Sequence, residues 1–488
     1  MTSKEYAQAF VDHTNASPTP YHFVASAKAQ LVAAGFIELK ESEPWAGKIE
    51  KGKKYYLTRN GSSIVAFAVG HQWVPGNGIA MVGAHTDSPS LRIKPVSKRG
   101  SEGYVQIGVE LYGGGLWPSW FDRDLSVAGR VFVRSAAGEY VPKLIKVEKP
   151  LLRIPTLAIH LDGTQNANFH FNAETQLFPI AGLVEEKLNE SIEKLSLKAT
   201  TGFKPLAPMT ERHQPRLLAV VAEAAGVAVS AIKDFELILY DVQAGTLGGL
   251  SDEFIFSQRL DNQMMAYSAV RGLIDSVAQA KNLIGDPCIR MISCFDHEEI
   301  GSESAQGARS NLLPSVVRRL SGLTAEKDFD TAHETGWLAT TGSSVYEETT
   351  AKSFLLSADM AHAVNPNYAE KYESQHRPKL NAGPVVKINA KQRYSTNSPG
   401  LVLLQEVAEL AEVPLQLFVV RNDSSCGSTI GPALASALGV RTLDLGNSQL
   451  SMHSIRETGG SADVKYACDL FAAYFNNYAK IEKQIVVD

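Results

Sequence analysis

An acidic tetrapeptide, DHEE at residues 296–299, directly follows a strand-like run at residues 290–295 that is apolar apart from its first residue, Arg290. The two adjacent carboxylates, Glu298 and Glu299, can divide two chemical tasks between them. One carboxylate can bind a divalent metal ion, while its neighbour removes a proton from the water that the ion activates. A solvated turn is the alternative interpretation of such a cluster, and the rest of the sequence has to decide between the two.

Four further strand-like runs are also followed by histidine or carboxylate side chains. These are His85 and Asp87 after IAMVGA, Asp261 after FIFSQRL, Asp359 and His362 after FLLSA, and His453 in a loop after RTLDLG. Because ligands of open α/β sheets bind outside the carboxyl ends of the strands, we expect these side chains to converge. Imidazole and carboxylate without thiolate are typical ligands of catalytic zinc and similar divalent metals. The donors suffice for two ions that share a bridging carboxylate.

Segments of helical and strand-like periodicity alternate on both sides of a central stretch with a different pattern. This alternation predicts an α/β fold, in which a mostly parallel sheet has helices on both faces. Residues 92–249 are instead rich in short β-type runs separated by Gly and Pro. We therefore expect one discontinuous domain, residues 1–91 and 250–488, that carries the candidate site and is interrupted by a smaller β-rich insertion, residues 92–249.

Composition excludes several classes of function. The chain has 488 residues, of which 44% are hydrophobic and 20% charged, and a net charge of −5, so no basic surface for nucleic acid or an anionic membrane is expected. No apolar run reaches the roughly 18 residues of a membrane span, and the N-terminal segment has no signal-peptide pattern. The four cysteines form no CxxC pair, so a structural zinc site with four cysteine ligands is not expected. So few cysteines in a chain of this size fit a reducing compartment, which suggests the cytoplasm.

Several motifs occur in an order that points to a known family. They are GAHTDSPSLRIKP, YGGGLWPSWFDRDLSVAGR, SQRLDN, FDHEEIGS, SADMAHAVNPNY and SMHSIRE. Together they span nearly the whole chain and resemble the M18 family of metallo-aminopeptidases. The resemblance implies a zinc exopeptidase fold with two zinc ions per subunit, for which manganese or cobalt can substitute. It also implies removal of one residue from a free N-terminus, and the closest branch prefers acidic residues.

The resemblance also assigns roles to individual residues. His85 and Asp359 would bind one zinc ion, Glu299 and His453 the other, Asp261 would bridge them, Glu298 would be the general base and acid, and Asp87 would orient His85. The family pattern places a cis peptide bond after the bridging aspartate, between Asp261 and Asn262. Residues expected to contact the substrate are Glu298, Asp359, His362, Lys387, Tyr394 and, reaching into a neighbouring subunit, His160.

By the same resemblance the insertion would mediate oligomerisation, and the chain would form a tetrahedral dodecamer built from dimers.

The chain lacks the extended N-terminal propeptide of the vacuolar branch, which favours a cytoplasmic protein, although delivery to a vacuole stays open. Among the 12 histidines, those outside the motifs, including His13 and His213, are expected at the surface or in loops.

Two alternatives remain at this point. The chain can share the chemistry but act on another substrate, as a vacuolar-type aminopeptidase for neutral residues or as a carboxypeptidase-like or deacylating relative. It can also be a catalytically silent shell protein or cargo receptor that keeps a metal only for folding. A spare carboxylate beside the ligand set argues against the second alternative, because structural zinc sites tend to be closed.

Overall fold

The computed structural model describes residues 2–184, 205–323 and 344–487. The chain divides into two compact units. The first consists of residues 1–88, 245–452 and 457–488, and the second of residues 89–244 and 453–456. The sequence-based boundaries lie a few residues later, at 92 and 249, and leave residues 453–456 in the first unit.

The helices and strands of the described residues are numbered in chain order. The α-helices are α1 (Ser3–Ala16), α2 (Pro20–Ala33), α3 (Ala173–Gln176), α4 (Met209–Arg212), α5 (Pro215–Ala225), α6 (Leu260–Ser276), α7 (Leu312–Ser321), α8 (Val345–Ala351), α9 (Ser398–Ala411), α10 (Ile430–Leu438) and α11 (Ser461–Ile481). The strands are β1 (Ile37–Glu38), β2 (Lys54–Arg59), β3 (Ser63–Val69), β4 (Ile79–His85), β5 (Ser90–Ser101), β6 (Tyr104–Tyr112), β7 (Leu125–Arg134), β8 (Tyr140–Lys146), β9 (Ile180–Leu183), β10 (Ile232–Asp241), β11 (Thr246–Gly248), β12 (Phe254–Ser257), β13 (Ile289–Phe295), β14 (Phe354–Ala358), β15 (Ala361–His362), β16 (Val385–Lys387), β17 (Gln416–Phe418), β18 (Arg441–Gly446), β19 (Ser448–Leu450) and β20 (Glu457–Gly460). Short 3-10 helices lie at Trp117–Trp120, Val229–Ala231, Ala280–Leu283, Glu298–Ile300, Ala369–Lys371 and Glu482–Gln484.

Polar side chains and glycines mark the ends of several helices. The hydroxyl groups of Thr2 and Thr429 accept backbone N–H groups in the first turns of α1 and α10. Such caps satisfy donors that have no partner inside the helix. Helix α10 is capped at its C-terminus by Gly439, which has a left-handed backbone conformation with φ of 66°. Sequence signals of this kind set where α1 and α10 begin or end.

The central element of the first unit is a nine-stranded sheet with the order β1-β2-β3-β13-β4-β14-β18-β16-β17. Its four middle strands, β13, β4, β14 and β18, run parallel to one another. These strands are buried on both faces, as in a sheet covered by helices on both sides. Helices α1, α2, α6, α9 and α11 pack on one face, and α7 and α10 on the other. The structure therefore confirms the predicted α/β class.

A second, five-stranded sheet in the first unit has the order β11-β12-β20-β19-β15. It includes β12, the strand that precedes Asp261. Asp261 therefore does not follow a strand of the central sheet, as the simplest interpretation of the sequence implied. Strand pairing is a non-local property, so the local apolar pattern could not assign β12 to a sheet.

The second unit contains a six-stranded antiparallel sheet with the order β8-β7-β10-β5-β6-β9. Its core consists mainly of aliphatic side chains from these strands and from α5. Within the described parts of the chain, no helix has the combination of length and apolar character that crossing a membrane requires.

Two histidines expected at the surface are buried. His13 lies between the rings of Phe23 and Tyr267, with centroid distances of 5.1 and 5.0 Å, and burial lowers its pKa to about 4. His213 is also buried, and its Nδ1 lies 2.9 Å from the hydroxyl group of Ser97. The expectation of a surface or loop position is wrong for His13, which lies inside α1. His213 does lie in a loop, the bend between α4 and α5, but it is buried there.

Candidate metal centre

Three neighbouring parallel strands end at the same edge of the central sheet. His85 is the last residue of β4 and pairs with Phe295, the last residue of β13. The acidic stretch 296–299 begins directly after Phe295. On the other side of β4, β14 ends at Ala358, directly before Asp359. Because parallel strands share their direction, this edge brings His85, the acidic stretch and Asp359 together.

Asp261 reaches the same place from the N-terminus of α6. The peptide bond between Asp261 and Asn262 is cis, as the family resemblance implied. The side chain of Asn262 donates to the carbonyl of Ala358 (2.8 Å), and the hydroxyl of Ser88 donates to the carbonyl of Asp261 (2.5 Å). The N–H of Asp261 donates to the carboxylate of Glu457 (3.2 Å). The main chain of Asp261 is thereby held on both sides.

His85 presents one ring nitrogen to the carboxylates. Its Nδ1 lies 3.0 Å from the backbone carbonyl of Asp87, which can only accept a hydrogen bond, so Nδ1 carries the proton. Nε2 is then the nitrogen with a lone pair available for an ion. It lies 3.3 Å from Asp261 Oδ1, 3.5 Å from Asp359 Oδ1 and 3.9 Å from Glu298 Oε2.

Two overlapping groups of side chains have donor atoms close enough to share an ion. They are His85 with Glu298 and Asp359, and His85 with Asp261 and Glu299, and in each group the donor atoms lie within 4.8 Å of one another. Both groups combine one imidazole with two carboxylates, the donor set of hydrolytic zinc sites. These residues therefore fit divalent metal ions.

Several carboxylates lie close together in the buried cluster, and the pKa values of Glu298 and His85 are shifted in the way expected of a cation-binding site. Burial, together with the charges of Asp359, Asp87 and Asp261, raises the pKa of Glu298 to about 8 against the opposing effect of His85. Burial alone would lower the pKa of His85, but the surrounding carboxylates raise it well above its usual value. Buried like charges oppose one another's ionisation, and a divalent cation removes that conflict.

The carboxylate of Asp87 holds the turn that carries the two glutamates. Its oxygens accept the backbone N–H groups of Glu298 and Glu299, each at 3.1 Å. The flanking residues His297 and Gly301 have positive φ angles of 67° and 98°, so the turn is tight on both sides. Asp87 thus contacts His85 mainly through its carbonyl group and uses its carboxylate to fix the glutamates.

Replacing Asp87 by alanine is expected to lower kcat/KM by about 10- to 100-fold, the effect typical of residues that orient metal ligands. The reason is that both glutamate amides lose their acceptor and the turn is no longer fixed. Steady-state kinetics and the zinc content of the purified variant measure the effect. Asp87→Asn, which keeps one acceptor oxygen, should fall between the alanine variant and wild type; wild-type kinetics in both variants would contradict this role.

His453 and His160 belong to the second unit. Nδ1 of His453 lies 3.0 Å from the carbonyl oxygen of Gly114, which leaves Nε2 as the nitrogen suited to bind an ion. The loop before it contains β19, so His453 does not come directly from the end of β18. His160 is exposed, between the exposed apolar residues Ile159 and Leu161. The roles of both histidines stay predictions.

Three of the residues expected to contact the substrate, His362, Lys387 and Tyr394, lie in the first unit. Lys387 is buried, and its Nζ lies 3.4 Å from Asp359 Oδ2 and 5.5 Å from the centre of the Tyr394 ring. The His362 ring packs edge-on against Phe418 at 5.9 Å. His362 and Phe418 line a cavity of about 320 Å³, whose other walls are Asn365, Tyr368, Lys371, Tyr372, Glu373, Val419, Val420 and Arg421.

Two buried acids beside these residues were missed in the sequence. Glu457 lies in the motif SMHSIRE and accepts the N–H of Asp261. Asp444 lies inside the run RTLDLG, and its carboxylate accepts the N–H of Ser395, next to Tyr394. A charged residue inside an apolar strand was the available signal for Asp444.

Comparison with known proteins gives consistent results. The family described as Aminopeptidase I zinc metalloprotease (M18) matches residues 13–475. The chain is 58% identical to an aspartyl aminopeptidase of Aspergillus oryzae, over 99% of this chain and 98% of that protein. A solved structure of the Ape4 and Nbr1 complex is similar with a TM-score of 0.91 and 48% identity, covering 100% of this chain and 88% of that chain. The structure of the Saccharomyces cerevisiae mApe1 dodecamer gives a TM-score of 0.81 at 32% identity, with coverage of 99% and 98%.

Proposed function

The chain belongs to the M18 family of zinc metallopeptidases, and on that premise we propose that it is an aminopeptidase that removes aspartate or glutamate from the N-terminus of peptides. The observation that carries the proposal is the cluster of His85 with carboxylates at the edge of the central sheet. The acidic specificity is supported by the 58% sequence identity between this chain and the aspartyl aminopeptidase of Aspergillus oryzae.

We assign two zinc ions to the site, with manganese or cobalt able to replace them. The proposed ligands are His85 and Asp359 for one ion and Glu299 and His453 for the other, with Asp261 bridging. Support comes from the distances of 3.3 and 3.5 Å that separate His85 Nε2 from Asp261 and Asp359. When bound, the ions supply Lewis acidity, which makes water a nucleophile at neutral pH and polarises the scissile carbonyl.

The protein's own residues supply the proton transfers. Glu298 would accept a proton from the attacking water and pass it to the leaving amine, the two roles of a general base and a general acid. Its neighbour Glu299 binds zinc, so adjacent carboxylates separate ion binding from proton transfer. Asp87 fixes both backbone positions through its two hydrogen bonds.

Recognition of an acidic substrate side chain is assigned to Lys387, with His362 and Tyr394 as further contacts. Support comes from the position of Lys387: its buried ammonium group lies 3.4 Å from Asp359, a proposed ligand. A cation at this distance from the reacting centre can attract the carboxylate of the substrate's first residue. Glu298 and Asp359 themselves would contact the scissile bond and the free amine.

Peptide substrates that differ only in the first residue test this proposal. The purified enzyme should cleave Asp- and Glu-anilides with higher kcat/KM than Leu-anilide, and metal analysis should find two zinc ions per chain. A preference for leucine would instead indicate the neutral-residue alternative. Full metal content without cleavage of any peptide in the panel would indicate a silent shell or cargo receptor.

Replacing Lys387 by alanine is expected to lower kcat/KM for Asp-anilide by about 10- to 100-fold, because a hydrogen bond between charged groups contributes roughly 1.5–3 kcal/mol. Cleavage of Leu-anilide should change less than about twofold, since that substrate has no carboxylate to lose. The exposed Lys391, four residues along, provides the matched control Lys391→Ala, which should leave both rates unchanged. An equal decrease in kcat/KM for both substrates would show that Lys387 does not determine specificity.

We further propose that the chain assembles as a homo-oligomer, a dodecamer built from dimers, in which His160 reaches the site of a neighbouring subunit. The solved dodecamer of a relative supports this assembly. So do the exposed apolar side chains beside His160, of which Leu161 is 75% and Leu157 is 53% exposed, because apolar patches of this kind often mark interfaces.

The proposed location is the cytoplasm, with vacuolar delivery as an alternative; the four free cysteines fit a reducing compartment.

A further inference from the structure

A buried carboxylate that none of these roles uses, Asp444, lies on the strand next to Lys387. Strands β16 and β18 are antiparallel and pair Val385 with Gly446 and Val386 with Leu445, so Lys387 and Asp444 are the next positions along the two strands. Side chains of directly opposite residues point to the same face of a sheet, with Cβ atoms roughly 4.5–5.5 Å apart. Lys387 is 3% exposed and Asp444 is fully buried. Both groups are therefore buried on neighbouring strands, and the charge of Lys387 opposes the burial that raises the pKa of Asp444. The carboxylate in direct contact with the ammonium group is that of Asp359, at 3.4 Å.

Asp444 also fixes the main chain beside Tyr394. Its Oδ2 accepts the N–H of Ser395 at 2.6 Å, and its own N–H donates to the hydroxyl of Thr396 at 3.0 Å. These contacts join the segment after Tyr394 to β18 from both directions. Because Tyr394 directly precedes Ser395 and Thr396, these two hydrogen bonds restrict the direction of its side chain.

A third set of contacts holds the carboxylate of Asp444 in place. The hydroxyl of Thr429 donates to its Oδ1 at 2.5 Å and also accepts the N–H of Gly431 in the first turn of α10. A Cβ atom at Gly431 would lie 2.5 Å from both carboxylate oxygens. Glycine at this position therefore gives the carboxylate its space, and a larger residue must displace it.

We propose that Asp444 is a positioning residue for substrate selectivity, which holds Lys387 and Tyr394 in the arrangement that receives an acidic side chain. The proposal rests on the proposed function, in which both residues contact the substrate. A specificity site requires side chains held in one geometry by the residues around them. A lysine has a long flexible stem, so a fixed negative charge opposite it on the neighbouring strand restricts where its ammonium group lies.

Asp444→Asn tests the proposal through a ratio of rates. The kcat/KM for Asp-anilide, divided by that for Leu-anilide, is expected to fall about tenfold or more, since the charge that orients Lys387 is lost. The rate with Leu-anilide should stay within about twofold of wild type. Gly431→Ala displaces the same carboxylate without removing its charge, and it should lower the ratio in the same direction.

The matched control is Asp463→Asn. Asp463 is likewise fully buried and accepts two backbone N–H groups, from Asn381 at 2.7 Å and Gly383 at 3.0 Å. This substitution should lower the melting temperature without changing the ratio. If Asp444→Asn lowers the rates for both substrates in parallel, as a purely structural residue would, the proposal is overturned.

Hydrogen exchange at the Ser395 amide gives a readout that does not depend on the substrate. Asp444→Ala removes both acceptor oxygens, so this amide should exchange faster in that variant than in wild type. Unchanged protection overturns the positioning role whatever the kinetics show. If wild type itself cleaves Leu-anilide faster than Asp-anilide, the proposed function fails. In that case Asp444 retains a positioning role only if substituting it both speeds exchange of the Ser395 amide and changes the ratio of the rates for the two substrates.

Discussion

Replacing Glu298 by glutamine is expected to lower kcat by about 10²- to 10⁴-fold, the range that a general base and acid contributes, while zinc remains bound. Glutamine keeps the size and one acceptor oxygen of the side chain but cannot take up a proton. The backbone contact to Asp87 does not involve the side chain of Glu298, so the turn should persist in the variant. Initial rates and zinc analysis of the same preparation measure both parts.

Two further variants show whether the effect is specific. Glu299→Gln changes the adjacent carboxylate, a proposed ligand, and should lower the zinc content as well as the rate. Glu303→Gln changes an exposed glutamate a few residues later and should behave as wild type. Turnover close to wild type in Glu298→Gln would assign proton transfer to another group and leave Glu298 as one of the carboxylates around His85.

The parts of the site that sequence alone predicted are those in which a local pattern and the sheet edge coincide. Strands β4, β13 and β14 are buried throughout and mostly apolar, and a polar residue at or after their ends marks the edge. Because ligands of parallel sheets bind at this edge, His85, Glu298 and Asp359 followed from the pattern. Their mutual distances come from strand order, which no local pattern contains.

Other features depended on packing between distant segments. Residues 453–456 belong to the second unit although the residues on both sides of them belong to the first. A segment of four residues is too short to produce a recognisable change in composition or periodicity along the sequence. Asp444 was counted as one position of an apolar strand, although its carboxylate joins three segments. His13 follows Phe10 by three residues, which places both on one face of α1, so helical periodicity could have identified its burial.

Replacing Asp261 by asparagine is expected to abolish activity and to lower the zinc content from two ions per chain to one or none. A bridging carboxylate neutralises charge on both ions, whereas a neutral amide binds divalent metals poorly. The fold should survive, because Ser88 and Glu457 contact the main chain of Asp261 and the side chain of Asn262 donates to the carbonyl of Ala358. Zinc analysis and thermal unfolding with and without chelator measure these effects.

Glu457→Gln is the matched control for this substitution. The carboxylate of Glu457 accepts the backbone N–H of Asp261 and the side-chain amide of Gln449, and glutamine keeps an acceptor oxygen for the Asp261 N–H. This variant should retain both ions and most of the activity. Chelator should lower the melting temperature of wild type more than that of Asp261→Asn, because ions that bind only the folded state stabilise it and the variant holds fewer of them. Two bound zinc ions in Asp261→Asn would show that the ions do not share this carboxylate, and the proposed arrangement of ligands would have to be abandoned.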